Sequence, residues 1–272
     1  MEIKMLSPLW GHENLPLKVF LNKVKDAGYD GVDTWIPEKR NDKKILFDFL
    51  ASHQLEIVTH QHRAEGNRFK DFRSSFIKNL HECAEPQPLL INSHTGRDYF
   101  SYDQNLALID DAFEFTEKTG VQVVHETHRG RLGYSPQMMR HFFKSRPAIK
   151  ITADLSHWVC VTESMLENFG EEVDEAISRS LYIHARVGFE QGPQVSDPRA
   201  PEWRYALDRF LGWWDRIVQY NAAQGVRKMP ISTEFGPAPY MPRVPNSKFP
   251  IVNLFEVNNY MRELLSARYH SI

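Results

Sequence analysis

Residues 121–128 read VQVVHETH, 149–158 read IKITADLSHW, 181–188 read LYIHARVG and 229–237 read MPISTEFGP. Each opens on a short β-branched or apolar run and reaches an acid or an imidazole three to six residues past its start. Such runs read as strands buried on both faces, the kind found in parallel sheets covered by helices. Further runs of the same type occupy 3–10, 31–37, 55–62 and 89–94, so that with 121–128, 149–158, 181–188 and 229–235 the chain offers eight strands. Between them lie stretches with helical apolar spacing: LKVFLNKVKDAG (17–28), KKILFDFLASHQ (43–54), DQNLALIDDAFEFTEKTG (103–120) and WRYALDRFLGWWDRIVQYNAAQG (203–225). Several close on the Gly that a helix C-terminus favours, and VNLFEVNNYMRELLSARY (252–269) supplies a last helix.

Most strand starts recur about every thirty residues, the length of one βα unit, and eight such units predict a (β/α)8 TIM barrel. The expectation is one α/β domain over residues 1–272. An open doubly wound sheet is the alternative for alternating strands and helices, but its Gly-rich phosphate loop is absent after the first strand, which runs into SPLWGHENLP (7–16). The seventh connection, containing GFEQGPQVSDPRAPEW (188–203), reads as the one long loop, and long loops in a compact domain are commonly functional.

Composition narrows the function. The 272 residues are 42 % hydrophobic and 25 % charged with a formal charge of −2, and the basic residues are scattered. No stripe of charge suited to a phosphate backbone emerges, which argues against nucleic acid. Two cysteines, Cys83 and Cys160, make no disulfide framework or CxxC pair, and no apolar run approaches membrane-spanning length. A reduced, cytoplasmic protein without a membrane partner is expected, with a homo-oligomer left open.

In a barrel, the groups that do chemistry come from the C-terminal ends of the strands. Side chains alternate between faces, so Glu126 shares a side with His128, His184 with Arg186, and His60 with His62. Carboxylates directed into a barrel are costly to desolvate unless a cation balances them. Glu126, Asp154, His184 and Glu234 stand at four successive strand ends, and one divalent ion is the simplest balance. An oxygen and nitrogen set without thiolate suits Mn, Co, Mg or Zn. Each residue also has a structural reading: Glu126 or Glu234 bonded to an arginine, Asp154 capping the next helix, His184 satisfied in the interior. His157, Arg186, His94, His62 and Trp35 are candidate substrate contacts. Trp10, Phe100 and Trp158 also follow strand ends, where an aromatic face could stack on a sugar or simply form an apolar lid. Trp213 and Trp214 fall within a helical pattern and read as packing.

The segments HET (125–127), DLSHW (154–158), IHAR (183–186) and TEFGP (233–237) resemble the xylose-isomerase-like barrel superfamily over essentially the whole chain. Its members include sugar isomerases, ketose 3-epimerases, hydroxypyruvate isomerase, inosose dehydratase and endonuclease IV. The most specific element is the order Glu, DxxH, His, Glu on strands five to eight. The resemblance implies one metal on Glu126, Asp154, His184 and Glu234, with His157 and an arginine after the strand-seven histidine contacting substrate. Arg186 follows His184 more closely than the epimerase arginine follows its histidine. Endonuclease IV holds three zinc ions with further histidines, for which His94 and either His60 or His62 could stand, and with a DxH on the long loop. Here Asp197 is followed two residues on by Arg199, so the third zinc lacks a ligand. The hydride-shift isomerases use two metals and a lysine, and no lysine follows Glu126 closely.

The expected function is therefore a metal-dependent isomerase or epimerase of a sugar or sugar phosphate. Glu126 and Glu234 would pass a proton through a cis-enediolate. A lyase of the inosose dehydratase kind, the three-zinc phosphodiesterase and a non-catalytic sugar-binding barrel are the alternatives.

Overall fold

The computed structural model describes residues 1–270; Ser271 and Ile272, the end of the span assigned to the barrel, lie outside them. Eight parallel strands close in sequence order into a barrel. They are β1 (Glu2–Pro8), β2 (Gly31–Thr34), β3 (Glu56–Gln61), β4 (Ile91–Ser93), β5 (Val123–Glu126), β6 (Ile151–Ala153), β7 (Ser180–His184) and β8 (Lys228–Ser232). The eight expected strands are all present, and the fold class is the (β/α)8 TIM barrel.

Around the barrel run α1 (Leu17–Asp26), α2 (Arg40–His53), α3 (Phe69–Ala84), α4 (Tyr102–Thr119), α5 (Pro136–Ser145), α6 (Leu155–Thr162), α7 (Gly170–Arg179), α8 (Arg204–Ala223) and α9 (Leu254–Arg268). Their apolar stripes face the strands. On α8, Leu207, Phe210, Leu211, Trp214, Ile217 and Val218 fall at helical spacing and all are buried. Large side chains of this kind contribute roughly 1.5–3 kcal/mol each when removed from water. Trp213 and Trp214 are packing residues, as their position in that pattern predicts. Ser101 opens α4 with a complete capping box, and Gly120 closes it in the left-handed conformation, φ +74°. Among the described residues no helix is long and apolar enough to cross a membrane.

Two expectations need correction. The strand expected over 149–158 stops at Ala153, because Asp154 accepts from the Ser156 amide and starts α6. The chain then adds α7 before returning to the barrel as β7. The seventh connection is also not the one long loop: residues 233–253, between β8 and α9, form a second.

Strand alternation explains how the barrel interior is layered. Leu6, Val58, Val124 and Tyr182, from four different strands, and Leu90, immediately before β4, form one apolar cluster inside the barrel. Two residues further along each strand lie Pro8, His60, Asn92, Glu126 and His184, and two further again Trp10, His62, His94, His128 and Arg186. On β2 the same step leads from Gly31 to Asp33 and Trp35. With a rise of about 3.3 Å per residue, each step of two climbs roughly 6–7 Å toward the mouth. An apolar floor thus carries an acid–imidazole layer, topped by imidazole, guanidinium and indole.

Candidate active site

The upper two layers enclose a cavity of about 270 Å³, lined by Pro8, Trp10, Asp33, Trp35, His60, His62, His94, Glu126, His128, Arg186, Glu234 and Tyr240. That lies near the lower bound of ordinary small-molecule pockets.

Glu126, Asp154, His184 and Glu234 each present one ligand atom to a common point, all four atoms lying within 4.8 Å of one another. His184 Nδ1 is 2.5 Å from Glu234 Oε2, 3.7 Å from Glu126 Oε1 and 4.0 Å from Asp154 Oδ2. Glu126 Oε1, His184 Nδ1 and Glu234 Oε2 are buried without a hydrogen-bond partner among the described residues. Such orphaned groups are expensive unless something else satisfies them.

Each carboxylate is held from behind. Asn92 donates from Nδ2 to Glu126 Oε2 at 2.6 Å, while its Oδ1 accepts from Thr152 Oγ1 at 2.6 Å, which fixes the amide orientation. His94 Nε2 lies 2.9 Å from the same Glu126 oxygen. Asp154 divides its two oxygens: Oδ1 caps α6 through Ser156, and Oδ2 pairs with Arg186. Its capping reading and its place in the cluster therefore both hold. Glu234 follows β8 with φ +43°, a conformation that costs a non-glycine residue about 1–3 kcal/mol and persists only where the surroundings impose it. Here Asn258 of α9 clamps the next peptide, accepting from Phe235 N at 2.9 Å and donating to Phe235 O at 3.0 Å. Gln194 does the same for Gly236 from the seventh connection.

The electrostatics follow from burial and mutual approach. Burial alone would raise the Glu126 carboxyl, but the imidazoles of His94 and His184 outweigh it and hold the group well below the usual range. Asp154 behaves oppositely: burial pushes it up to about 7, with Glu234 and Glu126 adding to the rise and Arg186 opposing it. Burial works against a charged His184, yet Glu234 and Glu126 raise it well above an ordinary imidazole. His62 is pushed down to about 3 by burial, then by its neighbours His60 and His94, and so stays neutral at physiological pH.

Of the candidate substrate contacts, His62, His94, Arg186 and Trp35 line the cavity. Arg186 is buried; its guanidinium bonds Asp154, reaches Ser156 Oγ at 3.3 Å and His157 Nε2 at 2.9 Å, and lies beneath the rings of Trp10 and Tyr240. His157 is fully buried and packs against His128 with ring centroids 3.9 Å apart; it stands behind Arg186 and outside the cavity lining. Trp10 is in the wall, meeting Tyr240 edge to face at 5.0 Å. Trp158 and Phe100 do not reach it. Trp158 turns into the core with α6 and donates to Gly133 O at 2.9 Å, and Phe100 packs on Phe69 and Phe72.

Asp33, Asn92 and Tyr240 went unnoticed in the sequence. Asp33 could have been found, because an acid inside the strand GVDT, two residues before Trp35, shares the inward parity of the other site groups. Tyr240 arrives from the loop after β8, where no periodicity predicts its direction. Two further clusters have ligand spacing, Asp33–His60–His184 and His94–Glu126–His128. On the seventh connection, Asp197 is engaged by Arg199 through paired bonds of 2.8 and 2.7 Å.

No family model and no curated protein matches the chain. Solved structures do. A D-tagatose 3-epimerase-like protein superposes with a TM-score of 0.64 at 16 % identity, covering 99 % of this chain and 97 % of that one. The probable 3-DHS dehydratase AsbF involved in petrobactin synthesis from Bacillus anthracis gives 0.62 at 14 %, covering 98 % and 99 %. Endonuclease IV from Thermus thermophilus gives 0.59 at 11 %, covering 100 % of both. The fold shared with these structures is the closed (β/α)8 barrel. At these identities the likeness is one of architecture. The barrel here places its convergent acids where the chain's strand pattern predicts them, at the C-terminal mouth.

Proposed function

We propose that this chain is a metal-dependent isomerase or epimerase of a small carbohydrate, removing a proton from a carbon beside a carbonyl and returning one to that carbon's other face or to its neighbour through a cis-enediolate. The observation that carries the reading is the convergence of Glu126, Asp154, His184 and Glu234 within 4.8 Å, with three of the four presenting orphaned buried atoms. The donor set fits one divalent cation of the Mn, Co, Mg or Zn group, since it offers carboxylate oxygen and imidazole nitrogen without thiolate. When bound, such an ion supplies Lewis acidity to a carbonyl and the adjacent hydroxyl.

The chain's own residues supply the rest. Glu126, kept ionised and oriented by Asn92 and His94, takes the proton. Glu234 follows β8, three strands from β5 around the barrel, and returns a proton to the other side of the carbon. Arg186, held in place by Asp154, donates toward substrate oxygen. Trp10, Trp35 and Tyr240 give the cavity its apolar wall and keep water from the reacting carbon. Among the described lining residues Arg186 is the one lysine or arginine, and it already serves Asp154, which favours an unphosphorylated carbohydrate. A cytoplasmic setting remains part of this proposal, in keeping with two free cysteines.

The test is incubation of metal-loaded protein with ketoses and aldoses in deuterated water. The reading expects one solvent deuteron at the altered carbon of each converted sugar; conversion without deuterium overturns proton transfer, and a product lighter by one water identifies the lyase reading instead. The His94–Glu126–His128 cluster favours a second reading with more than one cation, as in the nuclease. Elemental analysis decides it: one ion per chain fits the isomerase, three the nuclease.

A further inference from the structure

Asp33, on β2, is one of the cavity's acids, with its side chain wholly buried. Among the described residues no lysine or arginine pairs with it; its ionic neighbours are two imidazoles, His60 from β3 and His184 from β7. One carboxylate oxygen meets His60 Nε2, and the other lies 3.6 Å from His184 Nε2. The two rings are stacked 5.6 Å apart with 17° between their planes. Both Asp33 oxygens and the Nε2 atoms of both histidines are buried without a hydrogen-bond partner among the described residues, and the Tyr182 hydroxyl stands beside the same carboxylate.

His184 therefore has two differently occupied ends. Nδ1 faces the oxygens of Glu126, Asp154 and Glu234, and Nε2 faces Asp33. A neutral imidazole carries its one proton on either nitrogen, and the hydrogen bond made by the far nitrogen decides which. We propose that Asp33 is a positioning residue: its carboxylate, 3.6 Å from His184 Nε2, favours the proton on that nitrogen, leaving the Nδ1 lone pair directed at the acid cluster, and it sets the ring's rotation through the same contact. The inference rests on reading Glu126, Asp154, His184 and Glu234 as the metal set. Partners of this kind behind a ligating histidine typically change metal affinity by about 10- to 100-fold when removed. His60 shares the carboxylate and keeps its Nε2 donating to Asp33, which takes His60 out of the ligand set.

Two measurements test this. Nitrogen-15 NMR of the histidine rings in Zn²⁺-loaded wild-type protein should show His184 with a protonated Nε2 and an unprotonated, metal-bound Nδ1; the reverse assignment overturns the proposal without any variant. Calorimetric titration with Co²⁺ should show Asp33→Asn binding about 10- to 100-fold more weakly than wild type. Asp33→Glu should recover part of the loss, which a merely space-filling role would not produce. Binding of Asp33→Asn within threefold of wild type overturns the inference while leaving the metal site intact. Failure of the wild-type protein itself to take up Co²⁺ or Zn²⁺ overturns the metal reading, and this inference with it.

Discussion

Arg186→Met removes the one guanidinium in the acid cluster while keeping the length and apolar stem of the side chain. Arg186 is 2 % exposed and its charge is paired with Asp154, which is 0 % exposed. Breaking a buried pair from one side leaves an uncompensated charge and costs about 3–5 kcal/mol. For a chain of 272 residues with an unfolding entropy of about 2.1 cal/mol/K per residue, that corresponds to a melting temperature lower by about 5–9 °C. The cost depends on the charge state of Asp154, and this makes the reasoning testable. Its folded carboxyl is raised to about 7, whereas an unfolded aspartate titrates near 3.9. Below about pH 4 both states hold the proton. Between pH 4 and 7 the unfolded chain releases it first, so the metal-free protein loses stability as pH rises through that window. Circular-dichroism melts of metal-free wild type and variant should differ most at pH 7.5 and less at pH 5, where Asp154 keeps its proton. Adding Mn²⁺ at pH 7.5 should narrow the gap again, because an ion on the same oxygens restores positive charge. A gap below about 1 °C at pH 7.5, or one indifferent to both pH and Mn²⁺, would refute this account of the site.

Other outcomes follow from the same geometry. Asn258→Ala deletes both hydrogen bonds to Phe235 and should cost about 2–4 kcal/mol in urea denaturation. It should lower turnover as well, because the strained backbone at Glu234 is then free to relax. Gly236→Ala drives a Cβ into the Trp10 ring; the indole must leave the cavity wall, at about 1–3 kcal/mol, with a shift in tryptophan emission and a raised KM. Metal affinity should fall below pH 7, by about tenfold per pH unit for each proton displaced, since Asp154 is raised to about 7 and His184 is raised as well; calorimetry in buffers of different ionisation heat counts those protons. Glu126→Gln should abolish deuterium incorporation; unchanged exchange removes Glu126 from the chemistry.

The barrel was legible because a parallel strand covered on both faces must be apolar nearly throughout. An acid or imidazole at the end of such a run, as in VQVVHETH or MPISTEFGP, therefore stands out. Strand parity then pairs Glu126 with His128 and His184 with Arg186, and the structure lines these pairs up. Parity applied as strictly to GVDT would have flagged Asp33. Where local signals competed, the sequence misled: DLSHW continues a strand-like run, yet the Asp154 carboxylate caps Ser156 and turns the chain into α6, carrying Trp158 into the core. The loop 233–253 brings Tyr240 over the cavity with no periodic pattern to announce it.

The linear chain by itself determined the alternation of strands and helices, the closure of eight units, and which strand ends carry acids and imidazoles, because periodicity and desolvation cost act on near neighbours along the backbone. Only the tertiary structure decided which atoms face one another: that His184 turns Nδ1 to Glu126, Asp154 and Glu234 and Nε2 to Asp33, that Arg186 is committed to Asp154, and that Asn92 orients Glu126. Those choices join residues 30 to 151 positions apart in the chain, whose meeting is set by barrel closure and side-chain packing rather than by any local pattern.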